Sequence, residues 1–127
     1  LNNVSWNSDG VKLEGISKST KITSSALYIP GSVNVSLAVS ADLYSVTVVH
    51  IPAVPELVCR VGGNEVISKK GEKYESSFLK PSGNKTITCN ETWNGTLSAG
   101  TPDVQIENAY AMASAYVYVK SVNLLYR

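Results

Sequence analysis

The sequence predicts an all-β domain, an antiparallel two-sheet β-sandwich of eight or nine short strands. Three observations predict it. Apolar side chains recur every second residue, the repeat of a strand with one buried face. Clusters of Gly, Pro, Asn and Ser punctuate the chain at roughly the 8–12-residue spacing of sandwich strands. No segment carries the apolar stripe of an amphipathic helix. Strand order is not encoded in periodicity, so immunoglobulin-like, jelly-roll-like and other topologies stay open. The immunoglobulin pattern fits poorly, because Trp93 follows Cys89 instead of lying between the two cysteines.

Residues 1–25 form a first unit, polar and interrupted by Gly10 and Gly15. Its apolar residues come in two pairs at two-residue spacing, Val4 with Trp6 and Val11 with Leu13. The unit is either the first strand of the domain or an arm that adds a strand to a neighbouring molecule. Residues 26–127 form the sandwich. Within 32–40, Val33, Val35, Leu37 and Val39 share one face while Ser32, Asn34, Ser36 and Ser40 share the other. A corner at Ala41-Asp42 leads into a strand over 43–51, closed by Pro52 and Pro55 because proline cannot donate to a ladder. Glu56–Val61 turns at Gly62-Gly63-Asn64 into a strand at 65–68, and a turn around Gly71 leads to a strand at 74–79. Pro81-Ser82-Gly83-Asn84 reads as a further turn. Strands at 85–90 and 92–97 follow, then a loop at 99–102.

The last stretch, 104–126, alternates most strictly. From Ala109 one row reads Ala109, Ala111, Ala113, Ala115, Val117, Val119, and the other Tyr110, Met112, Ser114, Tyr116, Tyr118. Alanine and methionine favour helices, but strict alternation with Tyr and Val favours strand. The small row suits close sheet packing, and the tyrosines are left for a partner.

Composition places the protein outside the cell. Charged residues are 17% of the 127, below the roughly 25% of an average domain, and Ser, Thr and Asn together number 35. Five of the ten asparagines open Asn-x-Ser/Thr glycosylation sequons, at Asn3, Asn34, Asn84, Asn90 and Asn94, where chance gives about two. The two cysteines, Cys59 and Cys89, are expected to form a disulfide, which would stabilise the fold by roughly 3–4 kcal/mol in the chain-entropy model. No run reaches the roughly 18 apolar residues that span a membrane. The start shows no charged-then-apolar leader, so a mature chain is expected.

Several functions lack their residues. A net charge of +1 with scattered basic residues is unlike a nucleic-acid binder, which concentrates Lys and Arg on one face. The single histidine, His50, stands in an apolar strand context before Pro52 and reads as structural. Asp9, Asp42 and Asp103 are far apart, and only a loop calcium site is conceivable from them. No nucleophile elbow, phosphate loop or dinucleotide fingerprint occurs. No enzyme activity and no cofactor are therefore expected.

A sequon-dense sandwich with a strand-like N-terminal arm resembles the subunits of archaeal thread filaments. The resemblance implies globular heads chained by donor-strand complementation and coated with N-linked glycans. Val4, Trp6, Val11 and Leu13 would then form the donated strand, and the protein's main partner would be itself, in a homopolymer at the cell surface. A carbohydrate-binding or adhesin module, using Trp93, Tyr116 and Tyr118 as a ligand surface, is the alternative reading. A viral coat protein is a third.

Overall fold

Alternation runs unbroken from Val33 to Val48, and the chain follows it as one 16-residue strand. Val35, Leu37, Val39, Ala41 and Leu43 are buried, and the residues between them face outward. The corner expected at Ala41-Asp42 is absent. Ala41 stays in the core row and Asp42 in the solvent row, so neither interrupts the ladder. The structure, a computed structural model, describes residues 6–7, 11–14, 21–110 and 114–126. Asn3, Val4, Asp9, Ala111, Met112 and Ala113 lie outside the described residues.

The strand segments are β1 (Trp6–Asn7), β2 (Val11–Glu14), β3 (Lys21–Thr23), β4 (Val33–Val48) and β5 (Ile51–Ala53). They continue with β6 (Glu56–Val61), β7 (Asn64–Lys70), β8 (Gly83–Leu97), β9 (Val104–Asn108) and β10 (Tyr116–Tyr126). In the larger sheet the order is β1-β10-β4-β5, with β2 also on β10 and β8 also on β4. β8 covers one side of β4 from Val33↔Leu97 to Thr47↔Gly83, so β5 extends the column of β10 on the other side. The smaller sheet runs β3-β9-β6-β7. Each sheet is thus four strands wide, all antiparallel, which is the expected sandwich.

Three further expectations are corrected. The strands expected at 85–90 and 92–97 are one, because Asn90 and Glu91 pair with Ser40 and Val39 without a register shift. Asn84 and Asn94 consequently lie in a strand, not in turns. Residues 74–79 form no strand. The carbonyl of Tyr74 accepts from Thr47 Oγ1 at 2.8 Å, and Ser77 and Lys80 close a tight turn through reciprocal backbone bonds of 2.9 and 3.1 Å. Finally, 104–126 is not continuous: β9 belongs to the smaller sheet and β10 to the larger, with Ser114 at φ 75° before β10 begins. The inward row changes parity between them, from Val104, Ile106 and Asn108 in β9 to Val117 and Val119 in β10.

The core lies between the sheets. Leu37, Val39 and Leu43 of β4 and Val117, Val119 and Leu124 of β10 meet Leu57, Val61, Val104 and Ile106 of the smaller sheet. Each such side chain contributes about 1.5–3 kcal/mol by leaving water. β1 and β2 lie on β10 of their own chain, with Trp6↔Leu124 and Val11↔Val119 in register. Leu13 is fully buried in the shared core. Asn108 fixes this junction from within. It is itself buried, its Nδ2 donates to the Leu13 carbonyl at 3.1 Å, and its Oδ1 accepts from Glu56 N at 3.2 Å.

Cys59 and Cys89 are free thiols in the same core, on β6 and β8 respectively, and the expected disulfide is not formed. The two thiols face each other across the core closely enough for Cys89 to act on Cys59 electrostatically, yet they are not bonded. Burial pushes the Cys59 thiol up to about 12, helped by Cys89 and Glu91, and burial also raises that of Cys89.

Candidate ligand face on the larger sheet

Because β4 and β8 pair over their full length, the outward side chains of both strands form parallel rows. The outward row of β8 holds only asparagine and threonine, from Asn84 through Thr88 and Asn90 to Thr96. Opposite it, β4 presents Asn34, Ser36, Ala38, Ser40, Asp42 and Tyr44. The sequons at Asn34 and Asn94 interlock, since Asn34 faces Thr96 and Ser36 faces Asn94. All four sequon asparagines among the described residues are exposed on this one face. The threonines suit a pleated, half-solvated surface and the inward rows of both strands are largely apolar, so the strands form there without an apolar outer row although asparagine is ordinarily scarce in strands.

β10 completes the face. Its inward row is Val117, Val119, Val122 and Leu124, and Tyr116 and Tyr118 point the other way, as the alternation predicts. A bulge between Val119 and Ser121 shifts the register against β4 while keeping the valines inside. Tyr116 lies directly opposite Tyr44, and their rings stack with centroids 4.7 Å apart and planes 21° apart. Tyr118 stands opposite Asp42 and is exposed. Asp42 Oδ1 accepts from Thr88 Oγ1 at 2.7 Å and has Lys120 Nζ at 4.0 Å. The result is an aromatic platform beside an anchored carboxylate and an ammonium group. Next to it, a shallow groove of about 150 Å³ runs over Ala38, Ser40, Asn90, Thr92, Ser121 and Asn123. The platform can stack on flat, partly apolar rings, and the polar rows can exchange hydrogen bonds with hydroxyl groups.

The structure brings together some expected site residues and separates others. Tyr116 and Tyr118 are on the face. Trp93 is not: it shares the inward row with Ile87 and Cys89, packs against the core and lies over Gly95 so closely that no Cβ would fit there. Its parity with Cys89 is the signal in the sequence that places it. Tyr44 goes unnoticed by motif reading, and Asp42 is read as a corner residue and conceivable loop calcium ligand, although both fall on the polar row of the alternation that begins at Asn34. Trp6, Val11 and Leu13 lie along the β10 edge, and Val4 is outside the described residues. His50 is in a turn rather than a strand, with its Nδ1 2.8 Å from Ser76 Oγ. Among the described residues no three of His, Cys, Asp or Glu come together as metal ligands, and no helix is long and apolar enough to cross a membrane.

No family model matches the sequence, and no curated protein matches it. Among solved structures, the chain is similar to a carbohydrate-binding module of family CBM36 in complex with calcium and xylotriose. The identity is 13% and the TM-score 0.47, covering 98% of this chain and 99% of that one. It is also similar to the C-terminal CBM6 module of a marine laminarinase from Zobellia galactanivorans, at 11% identity and a TM-score of 0.40, with 98% and 99% covered. An exo-β-1,3-galactanase from Phanerochaete chrysosporium follows at 12% and 0.32, covering 98% of this chain and 29% of that one.

Proposed function

We propose that this protein is an extracellular carbohydrate-binding module whose ligand lies on the outer face of the larger sheet. The observation that supports this is the tyrosine platform. Tyr44, Tyr116 and Tyr118 stand on a solvent-facing sheet whose other outward residues are almost all Ser, Thr, Asn or Ala, with Asp42 held by Thr88 at its centre. The rings stack on the C–H face of a pyranose, and Asp42, Thr88 and Lys120 bond its hydroxyls. Of the four sequon asparagines on the face, Asn34 and Asn94 lie toward the end away from the platform, whereas Asn84 and Asn90 flank it, next to Thr86 and Thr88, so glycans at those two positions would border the bound sugar. Screening the protein against a glycan array, followed by calorimetry on the best ligand, tests the assignment. Tyr118→Ala should weaken binding by about tenfold or more, as expected for a buried aromatic contact. Binding that is unchanged in Tyr118→Ala and Tyr116→Ala would remove the platform from the site.

One observation favours a second reading, the filament subunit. β8 is a 15-residue strand without proline or bulge, and among the described residues it pairs only with β4. A long flat edge accepts added strands, and β1 and β2 already behave as strands laid along the other edge of the same sheet. If strand exchange joins copies, electron microscopy of the intact chain shows fibres. Monodisperse particles from the intact chain would rule this out.

A further inference from the structure

We infer that the pole of the sandwich formed by the β4–β5 turn and the 76–82 loop inserts into a lipid bilayer carrying anionic headgroups. Large apolar side chains are concentrated there in the open. Phe78 is 93% exposed and Leu79 86%, at the tip of the tight Ser77–Lys80 turn, and Val48, Val49 and Ile51 are exposed on the neighbouring tip. Burial accounts for none of them, and such a patch on a soluble domain marks an interaction site.

The two tips are built as one unit. Val49 N donates to Ser82 Oγ at 2.8 Å, His50 N to the Pro81 carbonyl at 2.8 Å, and His50 Nδ1 is 2.8 Å from Ser76 Oγ. Val49 and His50 hold φ values of 46° and 66° to make the two-residue turn. These are left-handed conformations that a β-branched residue adopts only under constraint. The Gly62-Gly63 turn makes the same bend with residues that adopt it freely. Retaining valine at such a position keeps an apolar side chain on the tip at a cost in strain.

Two features favour a bilayer over a protein partner. The backbone amides of Val49, His50, Ser77 and Lys80 are all bonded within the pole, so the base of each tip meets the membrane with its donors satisfied. Charge also matches. Residues 69–85 contain five lysines and two glutamates, and those glutamates are paired with Lys85 at 2.8 Å and Lys73 at 3.7 Å. Lys80, beside Leu79, has no carboxylate partner among the described residues. Basic side chains flanking apolar tips are attracted to anionic lipid surfaces.

The test is vesicle co-sedimentation of the intact protein, with phosphatidylcholine alone and with phosphatidylcholine containing phosphatidylglycerol. Binding to the anionic vesicles is expected, with only partial loss in high salt. Phe78→Ala with Leu79→Ala should weaken it by on the order of a hundredfold, about tenfold for each side chain. Should that variant lose its fold by circular dichroism, Ile51→Ser on the other tip carries the same expectation in smaller measure. Absence of vesicle binding by the folded protein overturns the inference. So does binding that salt abolishes and the apolar substitutions leave unchanged. A dimer in sedimentation analysis that Phe78→Ala with Leu79→Ala dissociates, without vesicle binding, would also overturn it and make the pole a contact between copies.

Discussion

Asn108→Ala tests whether one buried amide ties the N-terminal strands to the domain. In the structure its side chain satisfies two backbone groups on different elements, the Leu13 carbonyl of β2 and the Glu56 amide of β6. Truncation leaves both without their partner, and a buried polar group so orphaned costs about 1–3 kcal/mol. Glu56 is half-buried, so its amide can regain water, and the total comes to about 2–4 kcal/mol. Against the roughly 5–15 kcal/mol by which domains are stable, that is a large share. Leu13→Ala should cost about 2–5 kcal/mol by opening a cavity among fully buried residues. The two changes should not add. Once the Leu13 backbone is released, its side chain is no longer fully buried, so the double variant should fall short of the sum by on the order of 1–2 kcal/mol. Urea unfolding of the four proteins, followed by tryptophan fluorescence, measures all three quantities, and hydrogen exchange should show the loss first at residues 11–14. A loss under about 0.5 kcal/mol for Asn108→Ala, or strict additivity with Leu13→Ala, would refute the account.

Three more predictions follow from the interior and the turns. The Cys59 thiol, raised to about 12 from its ordinary 9.0, is stabilising while neutral. That contribution is complete below pH 9 and is lost between pH 9 and 12, at about 1.4 kcal/mol per pH unit; Cys59→Ala should flatten the alkaline fall of the urea midpoint, and an unchanged slope would contradict it. Ser45 Oγ is buried on β4 with no hydrogen-bond partner, so Ser45→Ala should leave the melting temperature unchanged or raise it, and a fall of several degrees would show a partner in solution. Replacing Val49-His50 by Asn-Gly suits both positive φ values and should stabilise by about 1 kcal/mol; a lower melting temperature would mean that the His50–Ser76 bond outweighs the strain.

Much of the architecture is legible in local pattern. Ala115, Val117 and Val119 lie inside and Tyr116 and Tyr118 lie outside, because side-chain direction in a strand alternates whatever the strand pairs with. Asn34 is exposed for the same reason. Errors arise where alternation is silent. It does not show that positions 32–48 make one strand, and it does not place the breaks in 104–126, where the inward row moves from even positions in β9 to odd ones at Ala115–Val119 and back to even ones after the bulge. It does not show which half of a row has a neighbour, so the pairing of Tyr44 with Tyr116 and of Asp42 with Thr88 appears only in the register. Trp93 is misread because aromatic character suggests a ligand surface, while parity with Cys89 puts it in the core.

The sequence by itself determined the class of fold, the crowding of five sequons on a surface poor in charge, and the alternation that sets which residues of a strand face inward. These depend on interactions within one strand and its solvent. Only the tertiary structure decided the pairings. It placed four sequons on one face, put Cys59 and Cys89 in one core on facing sheets without a bridge, and buried Asn108 between β2 and β6. It also gathered Val49, Ile51, Phe78 and Leu79 at one pole. Each of these joins residues separated along the chain by tens of positions. Their juxtaposition is set by how two sheets close over a shared core, a balance of long-range contacts that no local window contains.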